Sequence, residues 1–131
     1  LARAEAHAIS CLLPVDELEM QSPDYLGWLR DNRGGKALWF PVSNYSAPSA
    51  AVALPYLRMV EARLRAGEGV LMHCAAGQGR AGTMAVAVLM LLGLTRDEAV
   101  LTVRSHRTFA GPGSASQVAF VLDVEETLRA R

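Results

Sequence analysis

The sequence predicts an α/β fold, a central and mostly parallel sheet flanked by helices, on three observations. Short continuous apolar runs of strand length, such as 8–13 (AISCLL) and 70–73 (VLMH), alternate with longer stretches whose apolar residues recur at helical spacing. The stretch 70–83, VLMHCAAGQGRAGT, carries a buried strand through a glycine-bearing loop straight into an apolar helix, the join expected of a parallel βα unit. A length of 131 residues with 51% hydrophobic side chains suffices for one core, so a single domain over 1–131 is expected.

Taken in order, residues 1–6 read as the end of a helix and 8–13 as a buried strand closed by Pro14. Residues 16–20 supply one helical turn. Ser22-Pro23-Asp24 combines an N-cap residue, a proline at the first helical position and an acid in the first turn, after which Tyr25, Leu26 and Leu29 share a face. Gly34-Gly35 stops that helix. The next strand is 37–42 (ALWFPV), ended by Pro41, and 43–49 is a loop by composition. From 50 to 66 Leu54, Leu57, Val60 and Leu64 keep helical spacing, with Gly67 as the stop. Pro55 in that run requires either a helix start near Ala53 or a kink.

After the strand 70–73 and its loop, 82–92 is a helix apolar all round, hence central and buried. Thr95-Arg96-Asp97-Glu98 is a capping box for a helix with Ala99, Val100 and Val103 facing inward and its end near His106. Ser114-Ala115-Ser116-Gln117 is a second. Its helix runs to about Ala130, with Val118, Val121, Leu122, Glu125 and Leu128 at helical offsets. No internal repeat, linker or low-complexity segment interrupts the chain.

Composition narrows the function. The formal net charge is zero and the 13 basic residues are spread out, so nothing suggests a nucleic-acid tract or a polybasic membrane patch. The longest apolar run, 84–92, is too short to span a bilayer and no signal pattern precedes the first strand, so a cytoplasmic protein with no membrane partner is expected, as a monomer. The 2 cysteines make no disulfide framework. His7, His106, Asp16, Asp24 and Asp31 show no metal-ligand spacing, and neither a metal nor another cofactor is expected.

The chemistry concentrates in 73–80. A strand feeding a glycine loop that opens a helix is an anion cradle, because the loop N–H groups of Ala75, Ala76, Gly77, Gln78 and Gly79 and the helix N-terminus converge on one point. A cysteine at the mouth of such a ring, here Cys74, is a nucleophile at neutral pH. Arg80, six residues on, can fold back and hold two oxygens of a phosphoryl group in its fork. Gly77 and Gly79 allow backbone angles a side chain forbids, and His73 helps hold the loop.

His73, Cys74, Gly77 and Arg80 match the pattern His-Cys-x2-Gly-x2-Arg, and on them the chain resembles the cysteine-dependent protein tyrosine phosphatase superfamily, in its dual-specificity phosphatase-like branch. The resemblance implies a dual-specificity phosphatase-like fold with a further N-terminal strand or two before the first one here. It implies hydrolysis of phosphotyrosine proteins, with phosphoserine and phosphothreonine or small phosphate esters as further substrates, through a phosphocysteine at Cys74. Members carry a general acid in a context resembling Phe-Pro-x-x-Asp-x-x-x-Pro. This chain reads Phe40-Pro41-Val42-Ser43-Asn44-Tyr45-Ser46-Ala47-Pro48, so Asn44 stands where the acid belongs.

A second departure is Ala81, where the superfamily usually has the Ser or Thr that helps the thiolate leave. The chain is similar there to the phosphatases of regenerating liver, which are slow members, and Thr83 is a candidate substitute. Gln117, in a segment resembling Gln-x-x-Phe-Val, either positions the hydrolytic water or is only the N3 residue of its capping box. Arg104 and Arg107 resemble a pocket rim or are surface residues. Cys11 is either a small buried apolar residue or, as in some members, a partner that captures oxidised Cys74. Two functions stay open: a slow phosphatase, or a pseudophosphatase or substrate-trapping form that binds phosphorylated protein or inositol phosphate without efficient turnover.

Overall fold

The computed structural model describes residues 6–75, 79–106 and 110–130. Strand β1 (Ala6–Cys11) leads through helices α1 (Val15–Gln21) and α2 (Pro23–Asn32) to β2 (Ala37–Trp39), and helix α3 (Ala50–Arg65) leads on to β3 (Gly69–His73). Each return passes through a helix, so all three strands are parallel, in the order β2-β1-β3. Helices α4 (Gly79–Leu91), α5 (Arg96–His106) and α6 (Ala115–Arg129) follow.

Register decides what meets at the C-terminal edge of the sheet. Cys11 pairs with Trp39 on one side and with His73 on the other. Beyond the strands the chain keeps bonding: Leu12 N–H donates to the His73 carbonyl at 3.1 Å, Phe40 N–H to that of Cys11 at 2.9 Å and Val42 N–H to that of Leu12 at 2.9 Å. The segments after all three strands therefore lie side by side, the place where open parallel sheets bind ligands.

Helix α4 is central, as its all-round apolarity predicts, with Met84, Val86 and Ala87 fully buried against α3, α5 and α6. The neighbouring segment comes so near that a Cβ at Gly82 would lie 2.1 Å from the Gly111 nitrogen and 2.8 Å from its Cα. Gly111 itself sits at φ +113°, which side chains rarely adopt. Across the sheet, Tyr56 of α3 is buried, bonds the Ser10 hydroxyl of β1, and stacks on Phe40 at 4.6 Å between centroids.

Several expectations shift. Ala6 belongs to β1 rather than to a helix, and 1–5 lie outside the described residues. Ser22 precedes α2 but makes no side-chain cap bond, because its backbone also ends α1 with its N–H on the Leu18 carbonyl. Strand β2 stops at Trp39 because the register slips beyond it: Phe40 and Val42, two residues apart, bond the consecutive carbonyls of Cys11 and Leu12. Pro41 between them lies on the edge strand, where a missing N–H is tolerated. Helix α3 begins at Ala50, capped by Ser49 on Val52 N–H at 3.2 Å, with Pro55 inside it. Pro55 and Ala51, whose carbonyl loses its partner, are both exposed, so water can satisfy the orphan.

The buried face of α3 is Ala53, Tyr56, Leu57 and Val60, while Leu54 and Leu64 are half-buried. Helix α4 starts three residues before the expected Gly82. In α6 the buried stripe is Gln117, Phe120, Val121 and Val124, whereas Val118 and Leu122 are each 44% exposed. Among the described residues no helix is long and apolar enough to cross a membrane.

Two glycines with opposite surroundings test this packing. Gly27, exposed in α2, has nothing within 4 Å of an added Cβ. Gly27→Ala is expected to stabilise the fold by about 0.5–1 kcal/mol. Gly82→Ala is expected to cost about 3 kcal/mol because a backbone segment must move. Urea denaturation of both variants measures the difference.

Candidate active site

At the end of β3, Cys74 is 7% exposed and carries a free thiol. The first turn of α4 turns toward it, and the Ala81 N–H donates to Sγ at 3.4 Å. An orphan amide of the helix N-terminus is thus aimed at the sulfur. Ala81, where the resemblance implies a hydroxyl, serves the thiol through its backbone instead. Thr83 does not replace that hydroxyl: its Oγ1 donates to the Gly79 carbonyl at 2.6 Å, which uses its single proton.

Arg80 is 2% exposed, so its charge must be met inside the protein. Nη1 donates to Glu17 Oε2 at 3.0 Å and to the Val42 carbonyl at 2.8 Å, and Nη2 donates to Glu17 Oε1 at 3.1 Å. The carboxylate of α1 therefore holds the end of the guanidinium in a two-bond fork, and the loop after β2 takes the outer Nη1 hydrogen. Among the described residues nothing takes Nε–H or the second Nη2–H. These two hydrogens point the same way and form the remaining two-donor edge.

The residue before Cys74 belongs to a polar pair. The Tyr25 hydroxyl is 2.6 Å from His73 Nε2, and the rings are tilted at 5.5 Å between centroids. Burial holds the His73 pKa below its ordinary value, and a hydrogen bond to the Cys74 backbone offsets this only in part. A neutral imidazole bonded to that backbone accepts the Tyr25 proton at Nε2. Burial, then the nearby Cys11, pushes the Tyr25 hydroxyl up, so it remains a donor.

Cys11, fully buried on β1, has its thiol pushed up by burial ahead of the lowering from the Leu13 backbone, Tyr25 and the Arg80 charge. It is a protonated core thiol beside the site.

The remaining sequence candidates fall as follows. Asn44 lies in an exposed turn where its Oδ1 accepts from Tyr45 N–H at 3.0 Å, two residues beyond the Val42 that holds Arg80. Tyr45 takes φ +60°, and Ser114 Oγ fastens its carbonyl at 2.8 Å. Gln117 is 2% exposed; its Oε1 accepts from Gly113 and Ser114 N–H, completing the capping box, and a Cβ on Gly79 would lie 3.3 Å from its Nε2. It is thus both the N3 residue and the neighbour of the loop. Ala75 is exposed and Gly79 opens α4. Ala76, Gly77, Gln78 and Arg107 lie outside the described residues. Arg104 donates Nε to the Ala110 carbonyl at 3.2 Å, a bond from the last turn of α5 to the segment before α6.

Two residues escaped the sequence reasoning. Glu17 lies in a short helix just after the central strand, and an acid there falls at the C-terminal edge of a parallel sheet; that placement was the available signal. Tyr25 was legible only as part of an apolar face.

The chain resembles known proteins throughout. A family model described as "Swiss Army Knife protein, DSP-PTPase phosphatase domain" matches residues 2–121. Among solved structures, Tk-PTP in the active form is 35% identical, with 95% of this chain and 81% of that chain covered and a TM-score of 0.76. Human DUSP28 is 27% identical, with 99% and 84% covered and a TM-score of 0.74. PTPMT1 in complex with PI(5)P, 19% identical over 96% and 81% at a TM-score of 0.76, is alike in fold. No curated protein matches.

The buried imidazole has a pH consequence. The pKa of His73 is lowered on folding from 6.5, so the unfolded chain binds more protons below that value. The stability it confers is complete above about pH 6.5 and is lost as pH falls. Urea midpoints between about pH 7.5 and about pH 5.5 are expected to drop more steeply for the unmodified protein than for His73→Asn.

Proposed function

This chain belongs to the DSP-PTPase phosphatase family of protein-tyrosine and dual-specificity phosphatases, and on that premise we propose that it hydrolyses phosphotyrosine proteins slowly through a phosphocysteine at Cys74. The observation that carries this reading is the fixed guanidinium. Glu17 and Val42 hold Arg80 so that one two-donor edge is left, which suits two oxygens of a phosphoryl group. Sγ attacks phosphorus as the P–O bond to the leaving group breaks; water then attacks phosphorus and frees inorganic phosphate and the thiolate. The loop amides of 75–79 and Arg80 hold the transferring oxygens, which is most of what phosphoryl transfer requires. Gln117, against Gly79, is suited to orient the water of the second step.

Asn44 makes the first step slow. An amide cannot protonate a departing alkoxide, and general acid catalysis contributes about 10²–10⁴ in rate. Aryl phosphates, whose leaving groups need least protonation, are the substrates of choice, so phosphotyrosine is preferred to phosphoserine and phosphothreonine. The same residue favours a second reading, a pseudophosphatase or trapping form that holds a phosphorylated protein or inositol phosphate with little turnover.

Turnover of p-nitrophenyl phosphate and of a phosphotyrosine peptide separates the two. Cys74→Ser is expected to abolish both activities, and Asn44→Asp to raise peptide turnover by about tenfold or more. Phosphopeptide binding by the unmodified chain, with no rate that Cys74→Ser changes, would establish the trapping form instead.

A further inference from the structure

Away from the cradle, β2 and α3 enclose a cavity of about 300 Å³. Three aromatic side chains wall it. Phe40 and Tyr56 are stacked within 6° of parallel, and Trp39 is fixed by its Nε1–H on the Leu13 carbonyl at 2.8 Å. Arg33 stands at the mouth, its guanidinium 5.5 Å from the centre of the Trp39 ring. Among the described residues no carboxylate comes within ion-pair distance of Arg33. Val52 and Met59, 62% and 47% exposed, form the outer rim.

The size is that of a small-molecule site, the fixed walls suit a flat ring, and the unneutralised cation suits an anion. We propose that this cavity is a second binding site, for a small aromatic carboxylate whose ring lies against Trp39 and Phe40 and whose acid group meets Arg33. It shares no residue with the cradle. Phe40 is also where the loop bearing Val42 and Asn44 begins, so an occupant touches the chain that sets the active site.

The probe is 2-naphthoate, titrated into ¹⁵N-labelled protein carrying Cys74→Ser, with excess inorganic phosphate present to keep the acid out of the cradle. The protein's 2 tryptophans supply an internal control. The Trp39 indole N–H signal is expected to move saturably, at a Kd on the order of millimolar, while that of Trp28 stays still. Arg33→Gln, a surface change, should weaken binding about three- to fivefold, and 2-naphthamide should bind the unmodified site equally weakly. Val52→Trp, at an exposed position, should close the mouth and abolish the shift. A Trp39 signal that does not move, or a Kd unaltered by both Arg33→Gln and Val52→Trp, would overturn the proposal. Neither depends on whether Cys74 turns over phosphate.

Discussion

A buried guanidinium is expensive unless a countercharge meets it, and Arg80 organises this fold around that constraint. Its partners come from places far apart in sequence: Glu17 from the helix after β1, and Val42 from the loop after β2. Parallel register brings those places together, because Cys11 lies between Trp39 and His73 and the chain beyond each strand emerges at the same edge. The pair is thus less a stabilising ornament than the condition under which α1, the loop 41–48 and α4 agree on one geometry. Replacing both by apolar residues would satisfy the core equally well; retaining the charge keeps a cation beside a thiol.

The approach of the α4 N-terminus to Cys74 was legible in the sequence because its parts are contiguous. A strand, a cysteine, glycines and an arginine within a few residues have few alternative arrangements. The second layer was not legible, for a physical reason. Which carboxylate meets Arg80 depends on strand register and on where α1 turns, and the neighbouring Asp16, Glu17 and Glu19 cannot be told apart by spacing. Tyr25 is similar: its ring belongs to an amphipathic face, and only the register of His73 makes its hydroxyl a partner. The face of α6 was misread because Gln117 is polar. Its amide is absorbed by the capping box, which lets the stripe through Phe120, Val121 and Val124 turn inward.

On the proposed reading, the described part of the site supplies the electrostatic half of a phosphoryl-transfer centre, and Asn44 stands where its protonic half is expected. The amide of Ala81 faces the sulfur, and the guanidinium is braced. Positioning and charge stabilisation need no proton donor, since they depend on groups fixed by packing. The loop with Asn44 is itself well anchored, through Val42 on Arg80 and Tyr45 on Ser114. The change proposed there is therefore one of chemistry, an amide where an acid is expected, within an anchored loop.

The most direct test of the braced arginine is a crystal structure with orthovanadate bound at Cys74. Two vanadate oxygens on Nε and Nη2 of Arg80, with both Glu17 bonds and the Val42 bond intact, is the predicted result. An oxyanion that displaces Glu17, or that binds without touching the Nε edge, would contradict the account.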